Sequence, residues 1–244
     1  HGKSDPEAYM ISGKEIEKIS RLALNNEHVT LASPRLSISG LVSNGKNSTI
    51  FIATGVVPEH ERAVKAEFFD FQPIKGKPLD SKNDFGVEMA NGLAKQLELV
   101  PGNDGVIMGA TLEGQMNAMD INISGTYNTG VADTNDKFIK VPFSFAQSFY
   151  DTQKADSIVI LLDHWQHTDL VMQQLTDTLA SAGIEVEIKT WKELSVFYKS
   201  VRNMFDMIFL FIFIIVFIIV IMSTTNTMGM AVVERTREIG TLRA

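Results

Sequence analysis

The sequence has no cysteine, which removes disulfides and thiolate metal ligands and leaves the redox compartment open. Lys and Arg form no basic cluster and the formal net charge is −7, so nucleic acid is excluded as a partner, because phosphate binding depends on clustered cations. There is no G-x-S-x-G elbow, and no Asp or Glu sits where a raised pKa is predicted, so neither a Ser-His-Asp nor a carboxylate-pair enzyme is expected. The phosphate-loop pattern fails as well. In Gly40-Leu41-Val42-Ser43-Asn44-Gly45-Lys46-Asn47, Asn47 stands where a magnesium-binding hydroxyl is needed, and a β-type run follows where a helix N-terminus should cradle phosphate.

Charge is also missing from one long stretch. All 27 residues of 207–233 are uncharged and the first sixteen, from Met207 to Met222, are apolar. As a helix such a stretch reaches roughly 40 Å, more than the roughly 30 Å hydrocarbon core of a bilayer. Phe, Ile, Leu and Val on every side leave no polar face for water, so a membrane span is favoured over a buried globular helix, and the position after some 200 mixed residues excludes a signal peptide. In its second half Ser223, Thr224, Asn226 and Gly229 are small or polar, as at close helix–helix contacts in membranes, against the alternative of a tolerated polar end near the interface. The residues up to Asp206 hold 19 Lys and Arg against 27 Asp and Glu, a net charge of −8, so they are acidic and soluble.

Before the span, Ser12-Gly13-Lys14-Glu15 has the form of a capping box and opens a helix to about Asn25. A hairpin is predicted from alternation at Leu36–Ile38 and a return at 49–53, joined by a tight primed turn at Asn44-Gly45. Gln72 to Pro78 is turn-rich and reads as a seam. Beyond it, a short helix at 92–97 and Gly-punctuated strands at 105–112, 119–125 and 137–141 read as a mostly β module. The Asp133-Thr134-Asn135-Asp136 run lacks the Gly and Glu of a calcium loop and reads as an Asx-type turn. Ser157 to Leu162 is a buried-type strand, a helix follows at 169–182 with Gly183 as its C′ residue, and Ile184, Val186 and Ile188 alternate as a further strand. This order predicts an α+β fold whose flanking parts enclose the β module. His164 and His167, with Asp163 beside them, have the spacing of a metal-ligand pair, but no third ligand is identifiable, and loop or capping residues are the commoner reading. Trp191, Leu194, Tyr198, Val201, Phe205 and Ile208 make a heptad seam, which predicts one helix from residue 191 through the span, against an amphipathic helix lying on its own domain.

The last residues carry the most specific string. Asn226-Thr227-Met228, and Val232-Val233-Glu234-Arg235-Thr236-Arg237-Glu238-Ile239-Gly240-Thr241-Leu242-Arg243-Ala244, resemble the end of the second transmembrane helix and the start of the coupling segment of MacB/FtsX-type ABC-transporter permeases. Asn91 to Leu97, Val141-Pro142-Phe143 and Ala146-Gln147 are similar to phrases of that family's extracytoplasmic core domain.

The resemblance implies a porter-like α+β domain in two halves, 1–84 and 153–190, with an inserted β-rich subdomain at 85–152. A stalk at 191–206, a transmembrane helix at 207–233 and a cytoplasmic coupling segment at 234–244 would follow. It implies a non-catalytic permease that transmits ATP-driven motion outward, with Glu234, Arg235, Arg237, Glu238 and Arg243 facing the ATPase and Gly240 allowing a bend. The implied partners are an ABC ATPase subunit or domain carrying the ATP, a second permease protomer, membrane lipid and a periplasmic adaptor. The segment itself is expected to bind no cofactor and no metal. Its implied place is the bacterial plasma (inner) membrane with residues 1–206 extracytoplasmic, an orientation that charge alone does not set, since Lys189, Lys192, Lys199 and Arg202 match the arginines beyond the span. With no Walker motif, no other span and no initiator Met, the chain is expected to be a segment of a longer protein. The rival expectation is a single-pass protein whose acidic outer domain binds a ligand or partner.

Overall fold

A computed structural model describes residues 10–68, 75–130 and 132–242. The elements are α1 (Gly13–Leu24), β1 (Val29–Ser43), β2 (Ser48–Val56), α2 (Pro58–Phe68), β3 (Lys75–Gly76), β4 (Gly86–Ala90), α3 (Asn91–Gln96), β5 (Asp104–Ala110), β6 (Met116–Tyr127), α4 (Ala132–Asn135), β7 (Phe138–Pro142), α5 (Phe143–Tyr150), β8 (Ser157–Leu162), α6 (Thr168–Ser181), α7 (Trp191–Leu194) and α8 (Val196–Leu242). They fall into two compact units, His1–Val186 and Glu187–Ala244.

The first unit is mixed α+β. Its sheet runs β2-β7-β4-β6-β5-β1-β8, and β1 also pairs with β2, so six strands close into a barrel and β8 lies outside the ring. Alternate residues on each strand fill the interior: Leu36 and Ile38, Phe51 and Ala53, Val87 and Met89, Ile121 and Ile123, Ile139 and Val141 are all buried. Phe149 of α5 meets Phe51 edge-on at 6.3 Å between ring centres. Gly40 is required where β1 crosses β5, because a Cβ there would collide with the Met108 carbonyl oxygen.

β1 is shared between the ladder with β8 and the closed ring, where Leu41–Ser43 also pair with β5. Its residues 29–35 pair with β8, and Leu36–Ser43 pair with β2. Where β8 leaves, the next backbone N–H groups facing that way are taken up by side chains: Ser37 donates to the Asp156 carboxylate at 2.8 Å and Ser39 to the Tyr150 hydroxyl at 3.1 Å. Pro34 fits inside this strand because its neighbour Arg35 points its carbonyl at β8, accepting from Asp156 N, so position 34 faces the other way and loses no ladder bond.

The predicted hairpin supplies two of the six ring strands, since β1 pairs with β2 and β5 and β2 pairs with β7. Three expectations change here. Ile184 to Ile188 form no strand despite their alternation: β8 pairs with β1, and a period-2 pattern without a partner ladder makes no sheet. The hairpin turn is a four-residue loop, 44–47, held by the Asn44 side chain, whose Oδ1 accepts from Lys46 N and Asn47 N at 2.8 and 2.7 Å, with only Gly45 at positive φ. The Asp133–Asn135 run is one helical turn, and Gly183 adopts the positive φ expected of it.

Candidate functional site

The second unit is dominated by α8, 47 residues long, or roughly 70 Å at the helical rise per residue. Lys199–Val233 is apolar enough to cross a membrane, with mean hydropathy 3.2 and none of its apolar window buried inside the chain. Phe209, Phe211, Phe213 and Phe217 are each more than half exposed, an apolar surface far larger than a soluble protein leaves to water and suited to lipid. Within the span Thr224 donates to the Val220 carbonyl at 2.8 Å and Thr227 to the Ser223 carbonyl at 2.9 Å, so both hydroxyls are satisfied within the helix. Ser223, Asn226 and Gly229 stand exposed near them, and a Cβ added at Gly229 would meet nothing.

The single helix expected from Trp191 is interrupted. α7 ends at Leu194, Ser195 is extended (φ −80, ψ 99), and α8 starts afresh at Val196, so the heptad count of Trp191, Leu194, Tyr198, Val201 and Phe205 does not describe one rod. Thr190 Oγ1 donates to Glu193 Oε1 at 3.1 Å across the first turn of α7, and the Ser195 carbonyl accepts from Lys199 N at 3.2 Å as an i to i−4 bond that opens α8. Trp191, Leu194 and Phe205 are exposed and Val201 is half-buried, while the Tyr198 side chain lies outside the described ones.

Helix α8 continues past the span through Glu234, Arg235, Arg237, Glu238 and Gly240 to Leu242. Arg235 is exposed; the side chains of Glu234, Arg237 and Glu238 lie outside those described, and Arg243 lies outside the described residues.

Two polar clusters among the described residues of the first unit are relevant to function. At the barrel rim Glu61 of α2 receives Arg35 Nη2 at 3.0 Å and Lys140 Nζ at 2.6 Å, and Lys140 lies 5.2 Å from the centre of the Tyr127 ring. Burial, reinforced by the Glu88 and Glu61 charges, pushes the Tyr127 phenol well above its ordinary value. The other cluster forms where the β1–β8 ladder ends. Val29 pairs with Leu162, so His28 and Asp163 come opposite one another, and Asp163 N donates to His28 O at 3.0 Å. Asp163 Oδ2 lies 3.0 Å from His28 Nδ1, and Oδ1 lies 2.8 Å from His167 Nδ1. Hydrogen bonds from His167 and then His28 hold the Asp163 carboxyl well below the usual carboxylate range. The ligand-type pair is therefore His28 with His167, not the adjacent His164 with His167. His28 was invisible in the sequence because only strand register brings it to Asp163, 135 positions away.

No described sequence family matches this chain, and no curated protein matches it by sequence. Its fold is similar to solved structures. The extracellular domain of the noncanonic ABC-type transporter YknZ from Gram-positive bacteria superposes with a TM-score of 0.52 at 11% identity, over 75% of this chain and 91% of that one. The periplasmic region of MacB from Actinobacillus actinomycetemcomitans superposes with 0.52 at 13% identity, over 71% and 75%. The α+β fold is thus that of the outer domains of such transporters.

Proposed function

We propose that this chain is a permease segment of an ABC transporter, in which the first unit lies outside the bacterial inner membrane and α8 carries motion between it and an ATPase on the cytoplasmic side. The observation that carries the reading is the unbroken course of α8. One helix runs from Val196 through an uncovered apolar span into the charged run at Glu234–Glu238. Once nucleated and packed, a helix transmits displacement along its axis because every residue is held by i to i−4 hydrogen bonds. Alternating Glu234, Arg235, Arg237 and Glu238 give that end a docking surface of both signs, which favours one register on a partner. The fold likeness to the outer domains of YknZ and MacB supports an extracytoplasmic first unit. In this reading the ATP is bound by the partner, the segment is non-catalytic, a second permease protomer supplies the facing membrane helices, and a periplasmic adaptor meets the outer domain. The push starts at Val196, with Ser195 as a joint ahead of it.

The test reverses Arg235 and Arg237 to Glu in the complete transporter. Transport-coupled ATP hydrolysis should fall while the outer domain melts at its normal temperature. Unchanged coupling would remove the assigned role of this end of α8.

A further inference from the structure

We infer that His28, Asp163 and His167 form a binding site for one borderline divalent transition-metal ion, of which zinc is the representative, on the α/β side of the outer domain. The inference is independent of the transporter reading. One donor atom from each residue lies within 4.8 Å of the others. Tetrahedral zinc with ligand bonds near 2.0–2.1 Å places its donors about 3.3 Å apart, so an ion entering among these three needs only small side-chain shifts. The two imidazole rings face each other at 3.8 Å between centres, tilted by 33°, and both turn Nδ1 toward the same carboxylate. Protonating both rings would set two cations side by side, whereas two neutral imidazoles and one carboxylate around a divalent ion leave a net charge of +1.

The site is pre-arranged by backbone. His28 N–H donates to Asn26 Oδ1 at 3.0 Å, its carbonyl accepts from Asp163 N, and His164 N–H donates to Asp163 Oδ1 at 2.7 Å. Anchoring of this kind lowers the ordering cost of binding. The side chains of His28, Asp163 and His167 are 22%, 33% and 31% exposed, which leaves an open side for the ion and for a water as further ligand. Metal binding through Nδ1 requires the neutral tautomer with its proton on Nε2, moved there through solvent. For His28 the exposed Glu27 carboxylate, with Oε1 3.7 Å from Nε2, would have to swing closer to accept that proton. With no cysteine in the chain, imidazole and carboxylate donors select zinc-like ions over soft monovalent copper, and two imidazoles disfavour magnesium and calcium.

The experiment uses the whole chain in detergent, stripped with a chelator, and titrated with zinc chloride by calorimetry and with cobalt(II) by visible absorption. One saturable zinc per chain is expected, unaffected by excess magnesium, with a cobalt spectrum of mixed nitrogen and oxygen ligation. His28→Asn and His167→Gln should each weaken zinc about tenfold or more and abolish the cobalt band, while His164→Gln stays within about twofold. Circular dichroism of each metal-free variant separates lost binding from lost fold, and the two ligand variants lie on different segments, so one suffices if the other unfolds. Zinc binding unchanged in both variants, or lost in His164→Gln, would overturn the assignment, as would the absence of saturable binding.

Discussion

Replacing Glu61 by Ala removes the contacts to Arg35 and Lys140 by which this carboxylate joins α2 to β1 and β7. The Glu61 side chain is 11% exposed, against 30% for Arg35 and 24% for Lys140, so the trio lies between two regimes. An exposed pair contributes at most about 1 kcal/mol, whereas removing one partner of a fully buried pair costs about 3–5 kcal/mol. With two cations left half-desolvated, about 2–3 kcal/mol is expected for the first unit. At about 2–4 °C per kcal/mol for a unit of this size, Tm should fall by about 4–12 °C. The assay is a thermal melt by far-UV circular dichroism in detergent, in which α8 stays helical and adds a flat background. Partial burial also fixes the salt response. At 1 M NaCl, where the Debye length is about 3 Å, most of the loss should persist. The double variant Glu61→Ala/Lys140→Met should cost less than the sum of the singles by about 1 kcal/mol, since the two share one contact. A Tm change under about 1 °C, or one that vanishes in high salt, would mean that Glu61 is a solvated surface acid and that the reasoning from burial fails.

The Ser12 hydroxyl, then its backbone N–H, hold the Glu15 carboxyl below its ordinary value. A depressed folded-state value means that the capping-box contribution is present above the ordinary glutamate range, about 4.3, and is lost as pH falls through the lower folded value. Carboxyl NMR should therefore find Glu15 titrating below the ordinary glutamate range, and Ser12→Ala should raise it part of the way back, the backbone N–H being retained, at a cost of about 1 kcal/mol near neutral pH; an unmoved Glu15 resonance contradicts this. In the membrane, Asn226→Leu should weaken association of two copies in micelles by about 3- to 18-fold, corresponding to about 0.6–1.7 kcal/mol for an interhelical hydrogen bond. Equal energy transfer between labelled chains for wild type and variant would show that this side of α8 meets no partner helix.

What was legible in the sequence was local. The Ser12/Glu15 box, the strand at Ser157–Leu162, the helix ending before Gly183 and the apolar span each depend on neighbours a few residues apart, and each stands where its residues place it, although β8, expected to be buried, is only half-buried at the edge of the sheet. The fully buried strand β4 was passed over because Glu88 interrupts its apolar run; that carboxylate is buried and accepts from Leu79 N at 3.2 Å. Pro34 hid the first half of β1, since only the pairing side reveals that its missing N–H costs nothing. The alternation at Ile184–Ile188 misled in the other direction, since pattern without a partner makes no strand. Barrel closure and the meeting of His28 with Asp163 are products of register between distant segments, which no short window contains. The break at Ser195 had one local sign, since serine is a favoured helix-start residue that an apolar heptad count ignores.

The double membership of β1 has a mechanical corollary. A strand dragged lengthwise loads all its rungs together, whereas one peeled from its end loses them singly, so direction decides how much tension a ladder withstands. Tension applied to β8 along its own axis enters the closed ring through residues 29–35 of a strand that is itself a stave of that ring. The barrel and the α/β flank should therefore yield to a sideways pry at the Leu162 end long before they part under a straight pull.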